Sequence, residues 1–214
     1  MTPRRKKTTA AAAGRSGEIS VYQLKVTLRG IKPPIWRRIQ VPGHIKLGVF
    51  HEILQAVMGW TNTHLHQFVI QGKYFAAPDE EFDSPETQDE NKLTLAEAIQ
   101  LAGTRFSYDY DFGDGWEHEL KVEKVLPLAG NNLFPICLAG ARARPPEDCG
   151  GPYGYQELLE ALREPHHERH AELAEWLSEF SGGEGFDPER FNLTWINQAL
   201  RAMAKRRSPR SRIV

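Results

Sequence analysis

The sequence predicts an α+β fold: a mainly antiparallel sheet with an inserted helix, followed by a helical C-terminal part. Three observations predict it. Apolar residues alternate with polar ones in several short stretches before residue 126, the period of half-buried strands. Among them the stretch Lys46 to Met58 changes to helical spacing. After residue 153 every apolar stripe is helical, so strands come first and helices gather later.

Taken in order, Ile19 to Arg29 reads as a strand with Tyr22, Leu24, Val26 and Leu28 in one phase. A turn over Gly30 to Pro34 leads to a second strand, Ile35 to Val41. Its Ile35, Ile39 and Val41 face one way, while Trp36 and Arg38 share the other side, where the guanidinium can stack on the indole. Pro42-Gly43 breaks this strand. In the helix that follows, Leu47, Phe50, Leu54, Val57 and Met58 form the apolar stripe and Gly59 is suited to the C′ position.

His64 to Ile70 reads as a strand in which His64 and His66 share a face with Phe68 and Ile70; Gln71-Gly72 then turns the chain to Tyr74-Phe75. The acidic segment Pro78 to Asn91 has no period and reads as an exposed loop. Thr94 and Glu97 form a capping box ahead of Ala98 and Ile99. Pro127 to Tyr153, rich in glycine and proline, is too long for a plain linker. Three helices follow, marked by Tyr155, Leu158, Leu159 and Leu162, by Leu173, Trp176, Leu177 and Phe180, and by Leu193, Ile196, Leu200 and Met203. Asp187-Pro188 reads as an N-cap with proline at N1 of the last helix.

The centre of the pattern is a β-hairpin from Phe106 to Val125. Phe106, Tyr108, Tyr110 and Phe112 recur every second residue, Gly113-Asp114-Gly115 has turn chemistry, and Trp116, His118, Leu120 and Val122 continue the inner face. A histidine in phase with tryptophan and aliphatics needs a hydrogen bond or a metal, since an unpaired buried polar group costs about 1–3 kcal/mol.

The chain has 214 residues, 40% of them hydrophobic, and reads as a single globular domain over residues 18–204 between basic tails at 1–17 and 205–214. Ten cations lie in the tails and no acid does; without them 17 basic residues face 28 acidic ones, a charge of −11 for the body. That balance argues against a nucleic-acid groove, where cations neutralise phosphates, and leaves nucleic acid only a weak contact through tails that read as disordered. No stretch approaches the roughly 20 apolar residues of a membrane span. Two cysteines make no disulfide framework, so a reducing cytoplasm is the expected compartment.

Six segments carry a resemblance: Ile35-Trp36-Arg37-Arg38 with Val41-Pro42, Met58-Gly59-Trp60, His64 to Phe68, Tyr108 to His118, Pro145 to Gly151, and Gly185-Phe186-Asp187-Pro188. In this order the sequence resembles the plasmid pRiA4b third-open-reading-frame family, found on plasmids, in mobile elements and in prokaryotic chromosomes. The resemblance implies an α+β domain and no assigned activity; some relatives carry a resolvase-type label. Arg144 stands where relatives usually have cysteine before Pro-Pro-Glu-Asp, so a cysteine-rich metal site is not implied for this chain. Recombination needs a serine or tyrosine nucleophile among arginines, and the sequence offers no such arginine cluster.

The candidate pocket is His64, His66, Asp111, Asp114, Trp116, His118, Glu147 and Asp148. Its sharpest chemical reading is a divalent metal, zinc or manganese, held by His64, His66 and His118 with a position left open. The alternative is that the histidines brace buried turns. Asp109, Asp111 and Asp114 offer a calcium or magnesium pattern, against which stands a solvated carboxylate face. Cys137 and Cys149 read as small buried residues before ligands or a redox pair. Together these expectations describe a ligand- or protein-binding accessory module of mobile elements, with a metal-dependent, hydrolase-like enzyme as the second reading and a DNA-associated accessory as the third.

Overall fold

The structure is a computed structural model that describes residues 20–79, 84–128, 135–180 and 185–207. The tail at 1–17, and the other tail from 208 onward, lie outside these residues. The elements are β1 (Ser20–Leu28), β2 (Trp36–Pro42), α1 (Leu47–Met58), β3 (His66–Ile70), β4 (Lys73–Ala76) and β5 (Gln88–Asp89). They continue with α2 (Leu95–Ala102), β6 (Arg105–Tyr110), β7 (Trp116–Pro127), β8 (Ile136–Ala141), α3 (Gly151–Arg163), α4 (His170–Phe180) and α5 (Leu193–Arg207).

All eight strands belong to one sheet, ordered β5-β4-β3-β6-β7-β1-β2-β8. Every neighbouring pair is antiparallel except β4 with β5. The architecture is α+β, with one mostly antiparallel sheet and a helical C-terminal part. Among the described residues, no helix is long and apolar enough to cross a membrane.

Period-two alternation explains the inner face. Leu24, Val26 and Leu28 of β1, Ile39 and Val41 of β2, Phe106, Tyr108 and Tyr110 of β6, and Trp116 and Leu120 of β7 are all buried in one apolar cluster. The α1 stripe closes over that face: Leu47, Phe50, Leu54, Val57 and Met58 are buried, and Gly59 ends the helix in the left-handed region at φ 89°. The α2 capping box is complete, with Thr94 accepting from the Glu97 amide and Glu97 accepting from the Thr94 amide. On the other face of the sheet Arg38 forks onto Glu123 at 2.6 and 2.8 Å and lies over the Trp36 ring at 5.2 Å.

Five local expectations are corrected. β6 stops at Tyr110, because Asp111 turns into the left-handed region at φ 58°, and Phe112 is consequently 54% exposed. β3 begins at His66, so His64 precedes the strand and does not share its phase. The end of the acidic segment is not a loose loop: β5 pairs with β4, and Glu90, itself buried, opens a 3₁₀ turn. The long 127–153 segment contains edge strand β8. The last helix is capped by Asn192, which accepts the Trp195 amide, whereas Asp187 braces a turn by accepting the Glu189 amide.

α5 packs along β8 and against α1. Its Asn197 meets the outward backbone of Cys137 with both ends of its carboxamide: Oδ1 accepts the Cys137 amide and Nδ2 donates to the Cys137 carbonyl, each at 2.9 Å. The helix runs to Arg207, which pairs with Glu52 on α1, so Lys205 to Arg207 are helical residues.

Candidate functional site

The tip of the β6–β7 hairpin is a wound turn. Asp111 Oδ1 accepts from the amides of Gly113 and Asp114 at 3.0 and 3.2 Å, the Asp111 amide donates to the Leu65 carbonyl, and the Gly115 amide closes onto the Asp111 carbonyl. These bonds turn Asp111 inward and leave its Oδ2 pointing toward His64.

The Pro145–Gly151 loop docks onto this tip. Asp114 Oδ1 accepts the Gly150 amide at 3.2 Å. Gly151 lies so close that a Cβ there would fall 2.2 Å from the Asp114 carbonyl oxygen. A second clasp is Glu147, buried beneath the loop, which accepts from the Tyr110 hydroxyl at 2.7 Å and from Thr61 through its amide at 3.2 Å and hydroxyl at 2.5 Å. Burial works to raise the Glu147 pKa, but the bonds from Thr61 and Tyr110 and the charge of Arg144 outweigh it and hold it below the usual value. Glu147 is therefore an anion that fixes the loop, with its oxygens committed.

The clasped loop carries Asp148, at φ 59°, out over His64. His64 Nε2 lies 3.4 Å from Asp148 Oδ1 and 3.7 Å from Asp111 Oδ2. It is buried and makes no hydrogen bond. These three ligand atoms lie within 4.8 Å of one another, and among the described residues no other set of His, Cys, Asp and Glu gathers so closely. Asp148 is 72% exposed, which keeps one side of the cluster open to solvent.

The three-histidine centre does not form. His66 is engaged elsewhere: its Nε2 meets Glu90 Oε2 at 2.9 Å and its ring stacks on His51. His51 joins Tyr108, Asn62 and, through Tyr108, Gln55 in a buried polar network. Burial, then the neighbouring His66, lowers the His51 pKa to about 3. His118 lies fully inside the aromatic core. Its Nδ1 donates to the Tyr108 carbonyl, which can only accept, at 3.1 Å; burial lowers its pKa to about 4. Both histidines are braces, neutral at physiological pH.

Trp116 is a wall of the same core, 5.7 Å from Trp60 between ring centroids. The Asp109–Asp111–Asp114 pattern is also dispersed: Asp109 stays on β6 and accepts from Gln67, while Asp111 has left the strand. Burial raises both cysteine pKa values, that of Cys149 to about 12 with Asp114 adding to the effect, so neither is a thiolate. His51 was the missed residue with a signal: it stands at i+4 from Leu47, on the buried stripe of α1. Glu90 and Thr61 had none, since nothing local marks their partners.

One mostly antiparallel eight-stranded sheet with helices, carrying a His–carboxylate cluster between a hairpin tip and the Pro145–Gly151 loop, makes this an α+β protein. The chain belongs to the plasmid pRiA4b ORF-3-like protein family, matching it over residues 20–194. It is 44% identical over 195 residues to the uncharacterized protein y4hQ of Sinorhizobium fredii, covering 90% of this chain and 97% of that one. It is also similar to the crystal structure of a protein of unknown function, MM3350 from Methanosarcina mazei Go1. There the TM-score is 0.73 at 38% identity, over 82% of this chain and 97% of that chain.

Proposed function

We propose that the protein is a binding module whose recognition centre is a divalent-cation site made by His64, Asp111 and Asp148. The observation that carries this reading is the buried His64 Nε2, which faces two carboxylate oxygens at 3.4 and 3.7 Å without bonding either. A tetrahedral ion with bonds of about 2.1 Å separates its ligand atoms by about 3.4 Å. One imidazole and two carboxylates suit zinc or manganese better than a soft-metal site, which calls for thiolates. Asp148 would close the site from the solvent side, and the ligand or partner would complete the coordination.

The plasmid in the family's name supports a mobile-element association, and the free Cys137 and Cys149 support a reducing compartment. The second reading is metal-assisted hydrolysis, favoured by the position that three protein ligands leave for water.

Elemental analysis and calorimetric titration with zinc and manganese test the site. One ion per chain is expected, lost in His64→Ala and Asp111→Asn and retained in His66→Ala. Retention of metal in His64→Ala, or no ion in wild type, overturns it. Turnover of ester, amide or phosphodiester probes by the metal-loaded protein, absent in His64→Ala, would promote the hydrolase.

A further inference from the structure

A second concave site lies on the opposite flank of Arg144. It is a cleft of about 350 Å³ between the end of α1, the segment after β8 and the start of α5, and three arginines, Arg37, Arg144 and Arg190, line it without any carboxylate. This corrects the expectation of no arginine cluster: residues far apart in sequence meet here. No serine or tyrosine lines the cleft, so the case against strand cleavage stands.

Arg37 is the unusual member. It is only 3% exposed, on the buried face of β2, yet it has no acidic partner among the described residues. Nε donates to the Val57 carbonyl at 3.0 Å, and Nη1 donates to the Trp36 and Ala141 carbonyls, both at 2.9 Å. That uses three of the five guanidinium N–H groups and leaves both on Nη2 without a protein acceptor. The ring of Phe191, seated against Gly140, backs the guanidinium at 5.1 Å. Burial lowers the Arg37 pKa to about 10, so the charge persists at neutral pH. A buried cation held by neutral carbonyls in a body of net negative charge is costly unless an anion joins it.

Two further features complete the site. The first turn of the 15-residue α5 faces the cleft through Asn192, Trp195 and Ile196, adding the positive end of a helix dipole. Trp195 is 56% exposed, and its indole lines the cleft beside Gly59. A bare indole beside an unneutralised guanidinium matches a planar ring that carries an anion.

We infer that this cleft binds a small ligand joining a phosphate to a planar ring, the chemistry of a nucleoside monophosphate. The phosphate bridges Arg37 Nη2 and Arg190, and the ring covers Trp195. The volume falls in the range of small-molecule sites, and none of these residues belongs to the cation centre.

Calorimetric titration with AMP, in EDTA, tests it, alongside adenosine, inorganic phosphate and a short single-stranded oligonucleotide. AMP should bind one per chain and more tightly than adenosine or phosphate alone. Arg190→Ala, at a surface position that leaves the fold intact, should weaken AMP by about ten- to a hundredfold, the effect of one charge-assisted hydrogen bond. Trp195→Ala should weaken AMP but not phosphate. His64→Ala should change nothing, which separates this site from the cation centre. No AMP binding, AMP binding indifferent to both substitutions, or binding confined to the oligonucleotide overturns the inference.

Discussion

The hydroxyl of Tyr110 donates to the carboxylate of Glu147 at 2.7 Å, joining the last residue of β6 to the Pro145–Gly151 loop. Burial and the Glu147 bond push the Tyr110 pKa up to about 12, so this donor stays protonated. The loop that carries Asp148 is therefore positioned from inside the core.

Tyr110→Phe keeps the ring and deletes the hydroxyl, which donates to Glu147 and also accepts the Thr63 amide at 3.2 Å. Stability should fall by about 1–3 kcal/mol, the range for leaving a buried acceptor short of a partner. The Glu147 carboxyl should titrate higher than in wild type. Denaturant melts and carboxyl NMR check both, and an unchanged Glu147 titration would show that Thr61 and Arg144, not Tyr110, hold its carboxylate.

Gly151→Ala should do more harm than its size implies. The residue has φ 68°, and the added Cβ would meet the Asp114 carbonyl oxygen at 2.2 Å. Left-handed strain alone is worth about 1–3 kcal/mol. The loop must lift from the hairpin tip, so cation affinity should fall together with stability. Paired denaturation and metal titration of the variant read the two effects.

The acid limb of stability should be steep. His51 and His118 have folded pKa values of about 3 and about 4 against 6.5 unfolded, both lowered chiefly by burial. A lowered histidine pKa means that the unfolded chain binds the extra proton. Stability is thus complete above pH 6.5 and declines as pH falls from there toward 4, by about 1.4 kcal/mol per pH unit for each histidine. Unfolding free energies across that window should show a slope approaching two protons, reduced toward one in His51→Gln.

Trp116→Ala should cost about 3–5 kcal/mol, as for large aromatic truncations in a core. The indole is fully buried against Trp60. A variant melting like wild type would contradict this packing.

Much of the fold was legible because alternation and capping are local. The phases of Tyr108, Tyr110, Trp116 and Leu120, the α1 stripe with Gly59, and the Thr94–Glu97 box all depend on residues a few positions apart. The site was legible only in its membership. His64, Asp111 and Asp148 were named from the sequence, but their companions His66 and His118 were grouped with them by strand phase. That phase fails where Asp111 adopts φ 58° and where β3 starts two residues after His64. The arginine cleft left no local trace, since Arg37, Arg144 and Arg190 meet through tertiary packing alone.

The carboxamide of Asn197, engaged with both backbone groups of Cys137, occupies the place a ninth strand would take. An exposed sheet margin is a template on which a foreign or sister chain can add itself. Here α5 lies along β8 and its Asn197 side chain takes up both backbone groups of Cys137, so an added strand would find that pair already engaged.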